Sequence, residues 1–202
     1  MLLLEIGNIE YTSHRLDNSK KEQKAEAFLR ISPRGQVPVL QDGALCIRES
    51  SAILAYIDKT YLEDRYLGAS GRTVAIIQEI IATVCGNVEP VIQQVVQPIF
   101  RNKTASAVEQ IQEGLKKTDK ELRLLEDSLN QRSWLTGDEL TAADIHLLPS
   151  IERLLRATAR ENAAAIDVPD FYNTYPSLGA WLNRFRALPA YDKCYPPHWR
   201  MP

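Results

Sequence analysis

The sequence predicts an α+β chain: a module of strands and helices over residues 1–61, then an all-helical bundle over residues 73–202. Three observations predict it. Before residue 61, β-branched and aromatic runs alternate with helical spacing. Asp42-Gly43, set between two short apolar runs, is a hairpin signal. After residue 72 every long segment repeats its apolar residues at three- and four-residue steps.

Met1 to Ile6 is a short apolar run stopped by Gly7, the end of a helix whose capped start is not visible. Ile9 to Leu16 has strand composition. Ser19 to Ile31 has helical spacing, with Ser19 and Glu22 at capping-box distance and Ala25, Phe28 and Leu29 as its apolar stripe. Ser32-Pro33-Arg34-Gly35 marks a turn, Val37 to Leu40 a short strand, and Ala44 to Ile47 the returning strand of the hairpin. Glu49-Ser50-Ser51 opens a helix to about Tyr61, with Ile53, Leu54, Tyr56 and Ile57 on its buried side.

Gly68-Ala69-Ser70-Gly71 has linker composition and marks the expected domain boundary. Thr73 to Arg101 reads as one long helix, bent near Pro90 and ended near Pro98, because proline removes a backbone donor. Ala105 to Gln131 is the plainest helix, with Val108, Ile111, Leu115, Leu122, Leu125 and Leu129 on one face. Thr141 and Asp144 form a reciprocal cap at the start of the next helix, flanked by Leu140 and Ile145 as a hydrophobic staple. Ser177 to Leu188 is the last predicted helix, followed by a proline-rich tail through Trp199.

The 202 residues are 45% apolar and 25% charged, the balance of an ordinary globular chain, and 24 basic against 26 acidic side chains leave no basic stripe for nucleic acid or an anionic membrane. No uninterrupted apolar stretch approaches the ~18 residues of a membrane span, and Glu5 interrupts the first apolar run before it reaches signal-peptide length. A cytoplasmic protein is expected. Cys46, Cys85 and Cys194 are odd in number and far apart, so reduced thiols are expected rather than a disulfide framework or zinc site; His14, His146 and His198 show no metal-ligand spacing.

Two features bear on binding. Gln36-Val37-Pro38 sets a proline at a strand start just after a glycine turn, where cis and trans both remain open. In the cis form the backbone of Val37 is available to pair with an extended peptide ligand. Glu49-Ser50 lies at a helix start, where free N–H groups and the helix dipole favour an anion, and the carboxylate of Glu49 suits an ammonium. The alternative is an ordinary helix cap. Together the two features suggest one ligand with a peptide middle and an amino-acid end, a description that γ-glutamyl-cysteinyl-glycine fits.

Pro33 to Leu40, Asp42-Gly43 and Glu49 to Tyr56 resemble the thioredoxin-like domain of cytosolic glutathione transferases, and Leu135 to Asp138 with Leu140 to Ile145 resembles the capping motif of their helical domain. Pro176, Leu178, Trp181 and Pro189 match the spacing of their last helix. The resemblance covers essentially the whole chain. It implies a truncated thioredoxin-like domain plus a helical bundle, and glutathione as co-substrate with no metal. Val37 before a cis Pro38 would pair with the cysteine of glutathione, Glu49 and Ser50 would hold the γ-glutamyl end, and Gln36 would lie near the glycine carboxylate. It further implies a homodimer with a small apolar electrophile bound between the domains, near Val84, Cys85, Val88 and Phe100.

Met1 to Gly7 matches only the end of the family's first helix, so no catalytic residue carries over. The expected explanations are an upstream start, a naturally short chain that binds or assembles without catalysing, or another segment filling the place of the first strand. Ser13 and Cys46 are poor substitutes as reactive groups: one lies on the first predicted strand, the other beside Ile47 in an apolar one.

Overall fold

The computed structural model describes residues 1–199, with His198 described by its backbone alone. Ten helices and one two-stranded antiparallel sheet make up its regular elements, together with short 3-10 turns and one π turn.

The first helix, α1 (Leu2–Ile6), buries Leu2, Leu3 and Leu4 against α3 (Ser50–Tyr61) and α10 (Pro189–Cys194). Gly7 ends it in a right-handed conformation rather than the left-handed one that favours glycine. Space is what requires the glycine: a Cβ there would come within 2.7 Å of Leu62.

The strand expected over residues 9–16 does not form. A strand is stable only where a neighbour completes its ladder, and among the described residues the sheet holds only β1 (Leu40–Asp42) and β2 (Leu45–Ile47). Tyr11 instead donates its hydroxyl to Glu5 at 2.8 Å.

The helix expected over 19–31 shrinks to α2 (Glu26–Ile31), preceded by two 3-10 turns at Asn18–Lys20 and Glu22–Lys24. The cap is Asp17 rather than Ser19: its carboxylate accepts from the Ser19 amide at 2.9 Å, and Glu22 reaches back to the Asp17 amide at 2.6 Å. Lys21 then takes positive φ and Ala25 is extended, which breaks the run into pieces.

The predicted strand at 37–40 begins later, at Leu40, and pairs Leu40 with Ile47 and Asp42 with Leu45 around Gly43 at φ 56°. Helix α3 runs as expected, with Leu54 and Ile57 buried. Tyr56 is not on its buried side; it and Tyr61 both donate to the Asp42 carboxylate, tying helix to hairpin.

The stretch just before the linker composition at 68–71 is tied to α3. Buried Asp58 accepts from the Tyr66 and Leu67 amides at 2.9 and 2.7 Å, and Ser70 caps α4 (Gly71–Thr83) through a box with Thr73. Helical structure is continuous from Gly71 to Phe100, through α4, a π turn at Val84–Val88 and α5 (Glu89–Phe100). Pro90 cannot donate to residue 86, and its ring would crowd that carbonyl; the widened turn lies just before it. Pro98 stays inside the helix, which ends two residues later.

This 30-residue run is long and apolar enough, by length and composition, to cross a bilayer, although it contains no unbroken apolar stretch of that size. Its stripe of Ile77, Ile81, Val84, Val88, Ile92, Val95 and Ile99 packs in the bundle core, against α6 (Val108–Leu129) and α7 (Ala142–Thr158). Gly114 and Thr118 complete the buried face of α6 beside the predicted leucines.

The expected cap at Thr141 is the hub of the bundle. Buried Asp144 accepts from the Thr141 amide and hydroxyl, the Leu135 amide and the Trp181 indole, all at 2.8–3.0 Å. Burial pushes its carboxyl above the ordinary range, and these four donors oppose that shift. The last predicted helix forms as α9 (Pro176–Arg186), preceded by the single turn α8 (Phe171–Thr174), and the stretch expected as a proline-rich tail opens with one more helix, α10, which Pro189 starts at a position where no amide donor is needed. Glu126 of α6 accepts from the Ser177 and Leu178 amides and so caps α9 from outside its own sequence.

Candidate functional site

Gln36, Val37, Pro38, Glu49 and Ser50 line one wall of a single cleft of about 1180 Å³; the bundle supplies the other wall through Cys85, Glu89, Phe100, Arg101 and His146. The predicted residues thus come together, although they fall on a loop and a helix start separated by a hairpin.

The loop bearing Gln36 is held tightly. The Ser32 hydroxyl donates to the Gln36 carbonyl at 2.9 Å and accepts from its amide at 3.2 Å. Gly35 turns the chain at φ 60°, and a Cβ there would lie 2.6 Å from the Gln23 carbonyl, so only glycine lets the loop close on the 22–24 turn. The Val37–Pro38 peptide is cis. Val37 is 53% exposed and lies outside β1, so the sheet leaves its backbone free.

At the other end of the hairpin, Arg48 donates to the Ile31 carbonyl at 2.6 Å and fixes the approach to α3. Glu49 is the N-cap residue and Ser50 the first helical one, yet no side chain caps the helix. The ordinary-cap alternative for Ser50 therefore fails, and the first-turn amides of a 12-residue helix remain available to an anion in the cleft. Glu49 lies 3.7 Å from Arg34 in an exposed pair, leaving its carboxylate accessible.

On the facing wall, the Cys85 sulfur lies 3.1 Å from His146 Nε2. Burial holds the His146 imidazole below its usual range; burial, then Glu89 and Glu49, push the Cys85 thiol up. Glu89 is paired with Arg153 at 4.0 Å. Of the four residues expected to bound a second-substrate pocket, Cys85 and Phe100 line the cleft, while Val84 and Val88 are buried in the core. Sequence reasoning missed His146, Glu89, Arg101 and Gln23, whose amide oxygen is buried beside the cleft without a partner. Glu89 was within reach, being one turn beyond Cys85; no local signal joins His146 to a cysteine 61 positions earlier.

Residues 1–59 match the glutathione S-transferase N-terminal domain family and residues 88–189 the glutathione S-transferase C-terminal domain family. The chain belongs to the glutathione S-transferase family. Among its relatives, glutathione S-transferase 1 of Manduca sexta is 29% identical over 195 residues, covering 94% of this chain and 81% of that protein. A probable maleylacetoacetate isomerase of Vibrio cholerae is 26% identical over 200 residues, covering 96% of this chain and 88% of that protein. The crystal structure of a glutathione transferase homolog from Lodderomyces elongisporus, with two GSH per subunit, superposes with TM-score 0.78 at 25% identity, covering 95% and 89%.

Proposed function

We propose that the cleft binds glutathione and that the chain is a glutathione-dependent transferase, joining the glutathione sulfur to a small apolar electrophile. The observation that carries this reading is the convergence of Gln36, Val37, Pro38, Glu49 and Ser50 on one cleft, in a chain of this family. The residues divide by chemistry. The Ser50 hydroxyl and the uncapped α3 amides suit the α-carboxylate of the γ-glutamyl end, and Glu49 suits its ammonium. The free backbone of Val37 pairs with the peptide middle, and Gln36 reaches toward the glycine end. Phe100 offers an apolar face to the second substrate across the cleft.

In the transfer step the sulfur forms a bond to the electrophilic carbon after losing its proton, and a leaving group or rearranged bond takes up the electron pair. Isomerisation would use the same bound tripeptide, and the relative named as a probable maleylacetoacetate isomerase supports including it in this class. The reading includes a homodimer working in the cytoplasm.

Calorimetric titration of the purified chain tests it. Glutathione is expected to bind with a Kd between about 1 μM and 1 mM, roughly −8 to −4 kcal/mol. Glu49→Ala and Ser50→Ala each weaken it. Absence of saturable binding at millimolar glutathione would refute the reading.

A further inference from the structure

The pair formed by Cys85 and His146 is not used by the glutathione-binding wall, yet it opens into the same cleft. We propose that Cys85 and His146 form a thiol–base pair that takes up a glutathionyl group from glutathione disulfide; the choice of disulfide rests on the glutathione-binding reading above.

The geometry is that of a nucleophile beside its base. The two atoms lie 3.1 Å apart, within reach for proton transfer. They come from distant elements: Cys85 from the π turn before Pro90, and His146 from the first turns of α7. Cys85 is exposed to the cleft, unlike the half-buried Cys46 and Cys194. The environment favours the neutral pair at rest, since burial disfavours both the imidazolium and the thiolate, and the nearby Glu89 and Glu49 carboxylates disfavour the thiolate further. A neutral imidazole with its proton on Nδ1 leaves Nε2 as the acceptor that the thiol needs.

The step balances without a further reactant. His146 Nε2 takes the proton from the Cys85 thiol as its sulfur attacks one sulfur of the incoming disulfide. A new bond joins Cys85 to that glutathionyl sulfur while the disulfide bond breaks. The departing glutathione thiolate takes the proton back from His146 and leaves as free glutathione. The Cys85 thiol is oxidised and one half of the disulfide is reduced. The binding wall holding Glu49 and Ser50 would orient the tripeptide for this attack from across the cleft.

Incubation of the full chain with glutathione disulfide, followed by intact-mass and peptide mass spectrometry over time, tests the assignment. The expected result is one glutathionyl adduct, on Cys85, formed before any on Cys46 or Cys194 and absent in Cys85→Ser. His146→Gln and His146→Asn, each checked for an unchanged melting temperature, should slow it by at least about tenfold, as loss of a general base does. Cystamine, a disulfide without the tripeptide, probes the pair independently of the binding wall; Ser50→Ala should slow the reaction with glutathione disulfide but not with cystamine. Modification of Cys46 first, or a Cys85 rate unmoved in both His146 variants, overturns the proposal. Calorimetric glutathione binding with no Cys85 adduct from either disulfide overturns the pair and leaves the proposed function standing. An adduct from cystamine alone, with no glutathione binding, overturns both the function and the choice of disulfide.

Discussion

The two walls of the cleft are built on different principles. The bundle wall stands on a dense core in which Val95, Val96, Ile99, Ile111, Leu147, Ile151, Leu178 and Trp181 are fully buried. The loop wall stands on almost none: between residues 8 and 53 no hydrophobic side chain is fully buried, and the chain is held by turns and hydrogen bonds such as Ser32 to Gln36 and Arg48 to Ile31. Core packing supplies most of a fold's stability, whereas loops tied by a few polar contacts open at low cost. The residues proposed to bind glutathione therefore sit on the softer side, positioned by tight turns and seated on a rigid partner.

The strongest way to break this contrast is at the bundle hub. Asp144→Ala leaves the Leu135 and Thr141 amides and the Trp181 indole without their acceptor. At about 1–3 kcal/mol for each unsatisfied buried donor, partly relieved by water, we expect a loss of about 3–5 kcal/mol in urea unfolding. A matched pair of truncations sharpens the comparison. Ile111→Ala, in the core of α6, should cost about 2–4 kcal/mol, and Phe28→Ala, half-exposed on α2, about 1 kcal/mol. Equal costs would mean that the loop wall has a core of its own.

Ser50→Ala should act on the ligand rather than the fold. Its hydroxyl caps no helix, so the melting temperature should hold while glutathione affinity falls about tenfold, the ~1.4 kcal/mol of one hydrogen bond to a charged group. Affinity unchanged in calorimetry would remove Ser50 from the site. The smallest effect is expected at the hairpin tip. The Tyr61 and Tyr56 hydroxyls hold the Asp42 carboxyl below its usual range. A carboxyl lowered on folding favours the fold above its unfolded pKa, and that contribution disappears as pH falls through the folded one. An NMR titration should place the Asp42 midpoint below that of an unstructured peptide and move it upward in Tyr61→Phe.

The same contrast explains what was legible in the sequence. Helices of the bundle declare themselves locally, because each repeats its apolar face and carries its own cap, as at Thr141 and Asp144. The loop wall declared its cleft-lining residues through Gly35, Pro38 and the Glu49-Ser50 helix start, since turn chemistry is local too. What failed depended on partners elsewhere. Residues 9–16 have strand composition but no ladder neighbour, and 19–31 have helical spacing that Lys21 and Ala25 break. The Tyr56 and Tyr61 hydroxyls turned to Asp42 rather than to a core, and His146 reached Cys85 only through packing of α7 on the long helix.

Hydrogen–deuterium exchange of the full chain, with and without saturating glutathione, separates the two walls. Rapid exchange is expected across residues 32–50 in the free chain, with marked slowing there on adding glutathione and little change in α6 and α9, which should already be protected. Protection by glutathione that falls in the bundle and bypasses residues 32–50 would contradict it.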